Sequence, residues 1–517
     1  MKPGLARSSQ FDLSNVIRAH GVGTRGLDVP RGSEQYEGRF GRMFRTLPAA
    51  NHTDAELKAL AVAMVAEKEA CNPDPDAEEN SGITAGYTYF GQFIDHDLTF
   101  DPASSLEKTN DPDGLTDFRT PRFDLDCVYG RGPDDQPYLY RDGGLRMLQG
   151  RPLTGTSDTR TRDLPRNNPD GAGARKRALI GDPRNDENVI VSQLQGIFLR
   201  FHNAVVDRVT ADAGGVAPRF ADVQRLVRWH YQWAVLHDFL PTIVGQPVID
   251  SILPHLHSGK SIYEDTPKLR FFHWRYAPFM PIEFAAAAYR FGHSMIRPCY
   301  RLSAPLPLFP ILGNPAVFGS DLTGFGEFPG NWAIDWTLFF RFRKDAPTTG
   351  PSRVQPAYKI DTSIVNPLGN LPAVIADKIP SLAERNLLRG LRMNLPSGQT
   401  IARHMGLTPI PDDKLVVGKA TQEDKATNKK LTTFSANFAD NAPLWYYVLA
   451  EAQQQATSDT APIHLGDVGG RIVAEVFVGL LLGDNHSYLA QEPNWKPLFG
   501  QGGRFGIKDL IEVAQTA

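Results

Sequence analysis

Apolar residues fall on helical spacing over much of this chain. Between 189 and 209, Ile190, Leu194, Ile197, Phe198, Phe201, Val205 and Val209 recur every three to four positions, the stripe that a helix turns toward a core. Residues 220–240, 282–296, 382–393 and 469–482 read the same way. The stretch 54–70, DAELKALAVAMVAEKEA, predicts an amphipathic helix capped by Thr53. Residues 101–180 are rich in Asp, Gly, Pro and Arg and read as mostly irregular; a loop that long is functional or pinned by something. Residues 305–356 read as aromatic- and proline-rich connecting structure. No repeat recurs and no run of alternating strands is visible. The expectation is a mainly α fold: an extended arm over 1–50, then one large helical domain over 51–517 with long irregular loops and few short strands.

Within the arm, Gly21, Gly23 and Gly26 spell GxGxxG. That fingerprint needs a strand before it and a helix after it. Residues 14–20 make no convincing strand, and Pro30 and Gly32 follow, so dinucleotide binding is not expected. A net charge of −3 over 517 residues points to no nucleic-acid or anionic-membrane partner. Cys71, Cys127 and Cys299 lie far apart without a CxxC, which predicts neither a zinc site nor a disulfide framework. The N-terminus lacks the apolar core of a signal peptide, and the apolar run 476–482 is too short to span a bilayer. A cytoplasmic location is the default expectation, with export without a cleaved signal as the alternative.

Candidate chemistry concentrates in residues 91–100, GQFIDHDLTF. Asp95 and Asp97 flank His96, and Gln92 lies one helical turn upstream on the same face. Three ionisable groups in an apolar stretch are costly to bury without partners or an ion. A second cluster is Gly181-Asp182-Pro183-Arg184-Asn185-Asp186-Glu187, ahead of the 189–209 helix. Acids suit a helix start, but that leaves Arg184 without a role. A third is Arg290-Phe291-Gly292-His293, where a mid-helix glycine costs about 1 kcal/mol against alanine and would let a flat group approach the histidine. A fourth is Asn386-Leu387-Leu388-Arg389. In a fifth, 120–126, Thr120, Arg122, Asp124 and Asp126 set oxygens at alternate positions, which can converge on a hard cation. His202, in an apolar helix, reads as structural.

The five clusters, in this order, resemble those of the animal-type haem peroxidases. The resemblance runs from Tyr89 to Gly406 and is thin outside it. It implies a b-type haem with His293 as proximal iron ligand and His96 as the distal base. Arg184 would stabilise charge on the departing peroxide oxygen, and Gln92 would bind distal water or a halide. Arg290 and Arg389 would pair with the haem propionates, and Asn386 would orient His293. Asp97, Thr120, Asp124 and Asp126, with the Arg122 carbonyl, would hold Ca²⁺. Asp95 and Glu187 match the carboxylates that esterify the haem in the animal enzymes. Asn188, rather than methionine, follows Glu187, so no sulfonium link is expected, and bromide, iodide and thiocyanate are favoured over chloride. The implied reaction reduces H₂O₂ and oxidises halides, pseudohalides or small donors such as phenols. One alternative is a fatty-acid dioxygenase of the cyclooxygenase branch. Against it, Arg290 stands where the radical tyrosine would be, and Tyr289 is off by one. Another is a non-catalytic haem- or calcium-bearing protein, which should have lost His96 or Arg184; both are present.

Overall fold

A computed structural model describes residues 38–516, apart from 72–73, 75, 101–115, 118, 170–174, 276, 314–318, 374, 377, 459–460 and 501. The GxGxxG segment lies outside the described residues, as does the rest of 1–37. The fold is mainly helical with few short strands. One continuous hydrophobic core runs from Phe40 to Ala514.

Helix α1 (Asp54–Met64) starts on a capping box: Glu56 N donates to Thr53 Oγ1, and Thr53 N donates to Glu56. It stops short of the expected residue 70. Ile364 N donates to the Met64 carbonyl and Ala66 N to the Ile364 carbonyl, which draws the chain at Val65 into an extended bridge. Helix α2 (Ala85–Leu98) carries the 91–97 motif and follows strand β2 (Glu79–Thr84). Helix α3 (Val189–Asp212) packs against α2, and Phe93 stacks on Phe198 with centroids 4.2 Å apart. Helix α4 (Phe220–Ala234) widens into one π turn, Val235–Phe239, before Pro241. Helices α5 (Leu382–Arg392), α6 (Leu444–Gln455) and α7 (Asp467–Gly483) follow. The closing helix, α8 (Ile507–Thr516), lies along α3.

Two further expectations are corrected. The segment 282–296 is not one helix. It is an α turn, Ile282–Ala285, then a break at Ala287, then a 3-10 turn, Ala288–His293. Trp445 Nε1 takes the Arg290 carbonyl, which Ser294 N would receive in a continuous helix; Ser294 N goes to Phe291 instead. Residues 38–44, in the expected extended arm, are held against the domain. Strand β1 (Gly38–Gly41) pairs with β3 (Thr116–Asp117) and β4 (Met280–Pro281), and the buried Glu283 carboxylate accepts from Met43 N and Phe44 N. Finally, Cys71 and Cys299 form a disulfide. A separation of 228 residues leaves no local spacing to reveal it.

The bond lies beside the ion pairs of Asp74 with Arg297 and Arg353. Together they tie the chain before β2 to the chain after His293. Strand β5 (Pro356–Tyr358) pairs with β2, and Tyr358 N donates to the Met295 carbonyl at 3.0 Å. The segments bearing His96 and His293 are thereby anchored to one scaffold.

Candidate active site

His96 sits in the last turn of α2 with only 5% of its surface exposed. Burial, aided by the charge of Arg184, pushes its pKa down to about 4, so the imidazole is neutral at pH 7. Its Nδ1 lies 2.7 Å from Asn185 Oδ1. Asn185 is one of the unspecified positions between Arg184 and Glu187, and no spacing rule singled it out.

The 3-10 turn Pro183–Asp186 carries Asn185 and Arg184. Asp182 caps it by accepting from Arg184 N at 2.8 Å. The Arg184 guanidinium also donates to Asp182, to Thr99 O at 2.6 Å and to His96 O at 3.1 Å, and it lies over the Phe100 ring. Arg184 therefore meets His96 at its backbone carbonyl rather than at its ring. Gln92 donates to Glu187 and accepts from Asn188 Nδ2 at 3.2 Å. Glu187 is half-buried, and desolvation pushes its carboxyl up to about 7. Asp95 accepts from Thr99 Oγ1 at 3.1 Å. Asn188 caps α3 by accepting from Ile190 N and Val191 N. Thus His96, Arg184, Gln92, Glu187 and Asp95 come together from two elements, α2 and the turn before α3.

His293 ends the 3-10 turn that packs against α2. Tyr289 Oη donates to the Gly91 carbonyl at 3.2 Å, joining the two histidine-bearing segments. Burial, with the charge of Arg290, lowers the His293 pKa to about 3. Asn386, from α5, places Nδ2 2.8 Å from His293 Nδ1, and its Oδ1 accepts from Arg290 Nη1 at 3.2 Å. Arg389 stands one turn further along α5, half-buried. A Cβ built on Gly292 would meet nothing within 4 Å, so open space adjoins His293. Two neutral histidines on packed elements, with room beside one of them, fit a haem.

Asp97, Asp124 and Asp126 present carboxylate oxygens all within 4.8 Å of one another. Asp97 Oδ1 and Asp126 Oδ1 are buried without a hydrogen-bond partner. Burial pushes the Asp97 carboxyl well up and Asp126 up to about 7. Orphaned oxygens in a cluster of like charges are the donor set a hard cation resolves. Thr120 Oγ1 donates to Asp124 at 2.6 Å. Arg122 turns its side chain toward Asp484, 3.8 Å away. Arg119, missed in the sequence, pairs with Asp126 at 3.2 Å and with Asp182, linking this loop to the Arg184 turn.

The family model for the animal haem peroxidase matches residues 107–307. That stretch holds the 120–126 loop, Arg184, Glu187, Arg290 and His293, but not α2. Heme peroxidase 2 of Caenorhabditis elegans is 22% identical over 77% of this chain and 58% of its own length; the chain spans little more than half of that relative. Peroxidase A of Dictyostelium discoideum shares the fold with TM-score 0.55 and 16% identity, covering 89% of this chain and 90% of that one. The Oryza sativa fatty acid alpha-dioxygenase shares it with TM-score 0.54 and 14% identity, over 95% and 82%. Residues 107–307 thus match the animal haem peroxidase family, and the motifs around that stretch and the fold make the rest of the chain similar to it.

Proposed function

We propose that this chain is a haem-dependent peroxidase that reduces H₂O₂ and oxidises halides, pseudohalides or small organic donors such as phenols. The observation that carries the reading is the pair of neutral histidines, buried His96 and half-buried His293, on segments joined by the Tyr289–Gly91 hydrogen bond. A haem b held by His293 would supply the redox chemistry. His96 takes a proton from one peroxide oxygen and delivers it to the other, which leaves as water. Arg184 stabilises the charge that gathers on the leaving oxygen, and Gln92 binds distal water or a halide. Were His293 to hold the haem iron, its Nδ1 would carry a proton and the Asn386 amide would turn to offer Oδ1. Arg290 then takes an anionic partner, as would Arg389: the haem propionates. Asp95 and Glu187 are the candidate ester links. Asp97, Thr120, Asp124 and Asp126, with the Arg122 carbonyl, would hold Ca²⁺. The Cys71–Cys299 bond favours an oxidising compartment, and hence export over a cytoplasmic location.

The test is the visible spectrum of the purified protein before and after H₂O₂. A Soret band that shifts on peroxide supports the reading; a protein that binds no haem ends it. His293→Ala should lose haem, while His96→Ala should keep it and react with peroxide ~10²–10⁴-fold more slowly. The dioxygenase alternative rests on the shared fold alone, since Tyr289 is off by one from the radical position. Oxygen uptake with a fatty acid would favour it.

A further inference from the structure

Gln195 is one of several buried polar side chains in α3. It is fully buried between Leu194 and Ile197. A buried amide is kept only if its donors and acceptors are met. Its Nε2 donates to the Cys127 carbonyl at 3.4 Å, and its Oε1 accepts from Asn185 Nδ2 at 2.9 Å. Asn185, also fully buried, is left with Oδ1, which lies 2.7 Å from His96 Nδ1.

The direction of this chain is fixed from its far end. A backbone carbonyl can only accept, so Gln195 must present its NH₂ group to Cys127. Its oxygen then faces Asn185, which must answer with its own NH₂ group. The oxygen of Asn185 is therefore the atom that meets His96, and at 2.7 Å it tolerates an N–H but not a lone pair. We infer that Asn185, held in sense by Gln195 and Cys127, is a positioning residue that sets the distal base in the Nδ1–H tautomer and leaves Nε2 as its basic nitrogen. The inference rests on the peroxidase reading of His96.

The turn bearing Asn185 is clamped on both sides. Asp182 N donates to the Cys127 carbonyl at 3.1 Å, Ser192 Oγ donates to Asp186 at 3.0 Å, and Phe325 N and Gly324 N donate to the carbonyls of Asp186 and Glu187. Cys127 directly follows Asp126, and Leu125 N donates to Asp97 at 3.2 Å. The segment that anchors the tautomer is thus the segment that carries the candidate cation loop. A side chain acting only as packing would need none of this directionality, and an apolar residue of similar volume would serve at 185.

Tautomer and proton transfer are read separately. In the apo protein, long-range ¹H–¹⁵N correlation spectra of the histidine rings report the His96 tautomer directly. The wild type should show Nδ1–H, and Gln195→Met, which frees the Asn185 amide to turn, should show a mixture. In the haem-loaded protein, cyanide association tests the same group without peroxide turnover, because HCN must give up its proton to the distal base. Asn185→Leu should slow both cyanide association and the peroxide reaction by about 10- to 100-fold, a part of the ~10²–10⁴ that proton transfer contributes, with haem content kept. Asn185→Asp, which retains an acceptor oxygen, should recover most of the cyanide rate. An Nε2–H tautomer in the wild type overturns the inference even if every variant misfolds. So does a haem-loaded Asn185→Leu with wild-type cyanide kinetics. A chain that takes up no haem refutes the peroxidase reading instead, and is recognised by its missing Soret band.

Discussion

Arg166→Met is the sharpest single test of how the 181–188 turn is held. Arg166 is 4% exposed and lies between Asp163 and Asp186, themselves 1% and 4% exposed. Its guanidinium has five N–H donors, and every nitrogen is engaged. Nε donates to Asp163 at 3.1 Å, Nη1 to Asp186 at 2.8 Å and to the Lys176 carbonyl at 3.2 Å, and Nη2 to Asp163 at 3.0 Å and Asp186 at 2.9 Å. The Phe328 ring covers it at 4.9 Å. Removing one partner of such a buried pair strands the remaining charges and costs about 3–5 kcal/mol; here two carboxylates are stranded, which puts the expected loss at the upper end. Arg166→Lys keeps the charge but not the fork and should lose less. The loss has a pH signature. Burial already raises the Asp186 carboxyl, and Arg166 opposes that rise. Without Arg166 the folded-state pKa climbs further, so the folded variant holds a proton that the unfolded chain has released. Its stability relative to wild type then falls as pH rises above about 4, the usual carboxylate pKa. Urea denaturation of wild type and both variants at pH 5 and pH 8 measures this, read from midpoints at unchanged slope. A loss under about 1 kcal/mol, or one equal at both pH values, would refute the account.

Two other outcomes are expected. Asp124→Ala, or prolonged chelation, should lower the unfolding temperature and disturb the haem spectrum together, because Asp97 of the same cluster adjoins His96; full activity in protein that metal analysis finds free of calcium would remove the ion from the site. After brief H₂O₂ treatment, haem should resist extraction by acidified butanone, and the double variant Asp95→Ala/Glu187→Ala should release it; complete extraction from treated wild type would leave both acids with structural roles only and shift the expected substrates toward phenols and iodide.

Helices whose apolar stripe faces one core were legible from sequence, because their period is set by local geometry. Residues 189–212, 382–392 and 467–483 came within a few residues of expectation. The errors share a cause. At Val65 and at Arg290 the residue types allow a helix to continue, and distant groups turn it aside: the Ile364 strand bridge in one case, the Trp445 indole on the Arg290 carbonyl in the other. A window of sequence holds neither partner. The disulfide was hidden in the same way. In the site, the residues that bear charge or could ligate a metal stood out by type and spacing. Those that orient them did not. Asn185, Gln195, Arg119 and Arg166 are ordinary residues by sequence, and only their neighbours give them work.

That division says something about how the site is built. Arg119 bridges Asp126 and Asp182, Asp182 holds Arg184, and Cys127 receives both Asp182 N and the Gln195 amide that governs Asn185. In these links the sense of each hydrogen bond is fixed by a carbonyl or a full charge, and none of them is a hydroxyl that could rotate. Such a network has few alternative arrangements, so the loop and the distal turn should respond to perturbation as one unit. Loss of the cation and loss of Asn185 should then be distinguishable only by what each leaves intact. The first disturbs haem, stability and tautomer together, whereas the second leaves haem in place and changes the tautomer and the proton-transfer rate it governs.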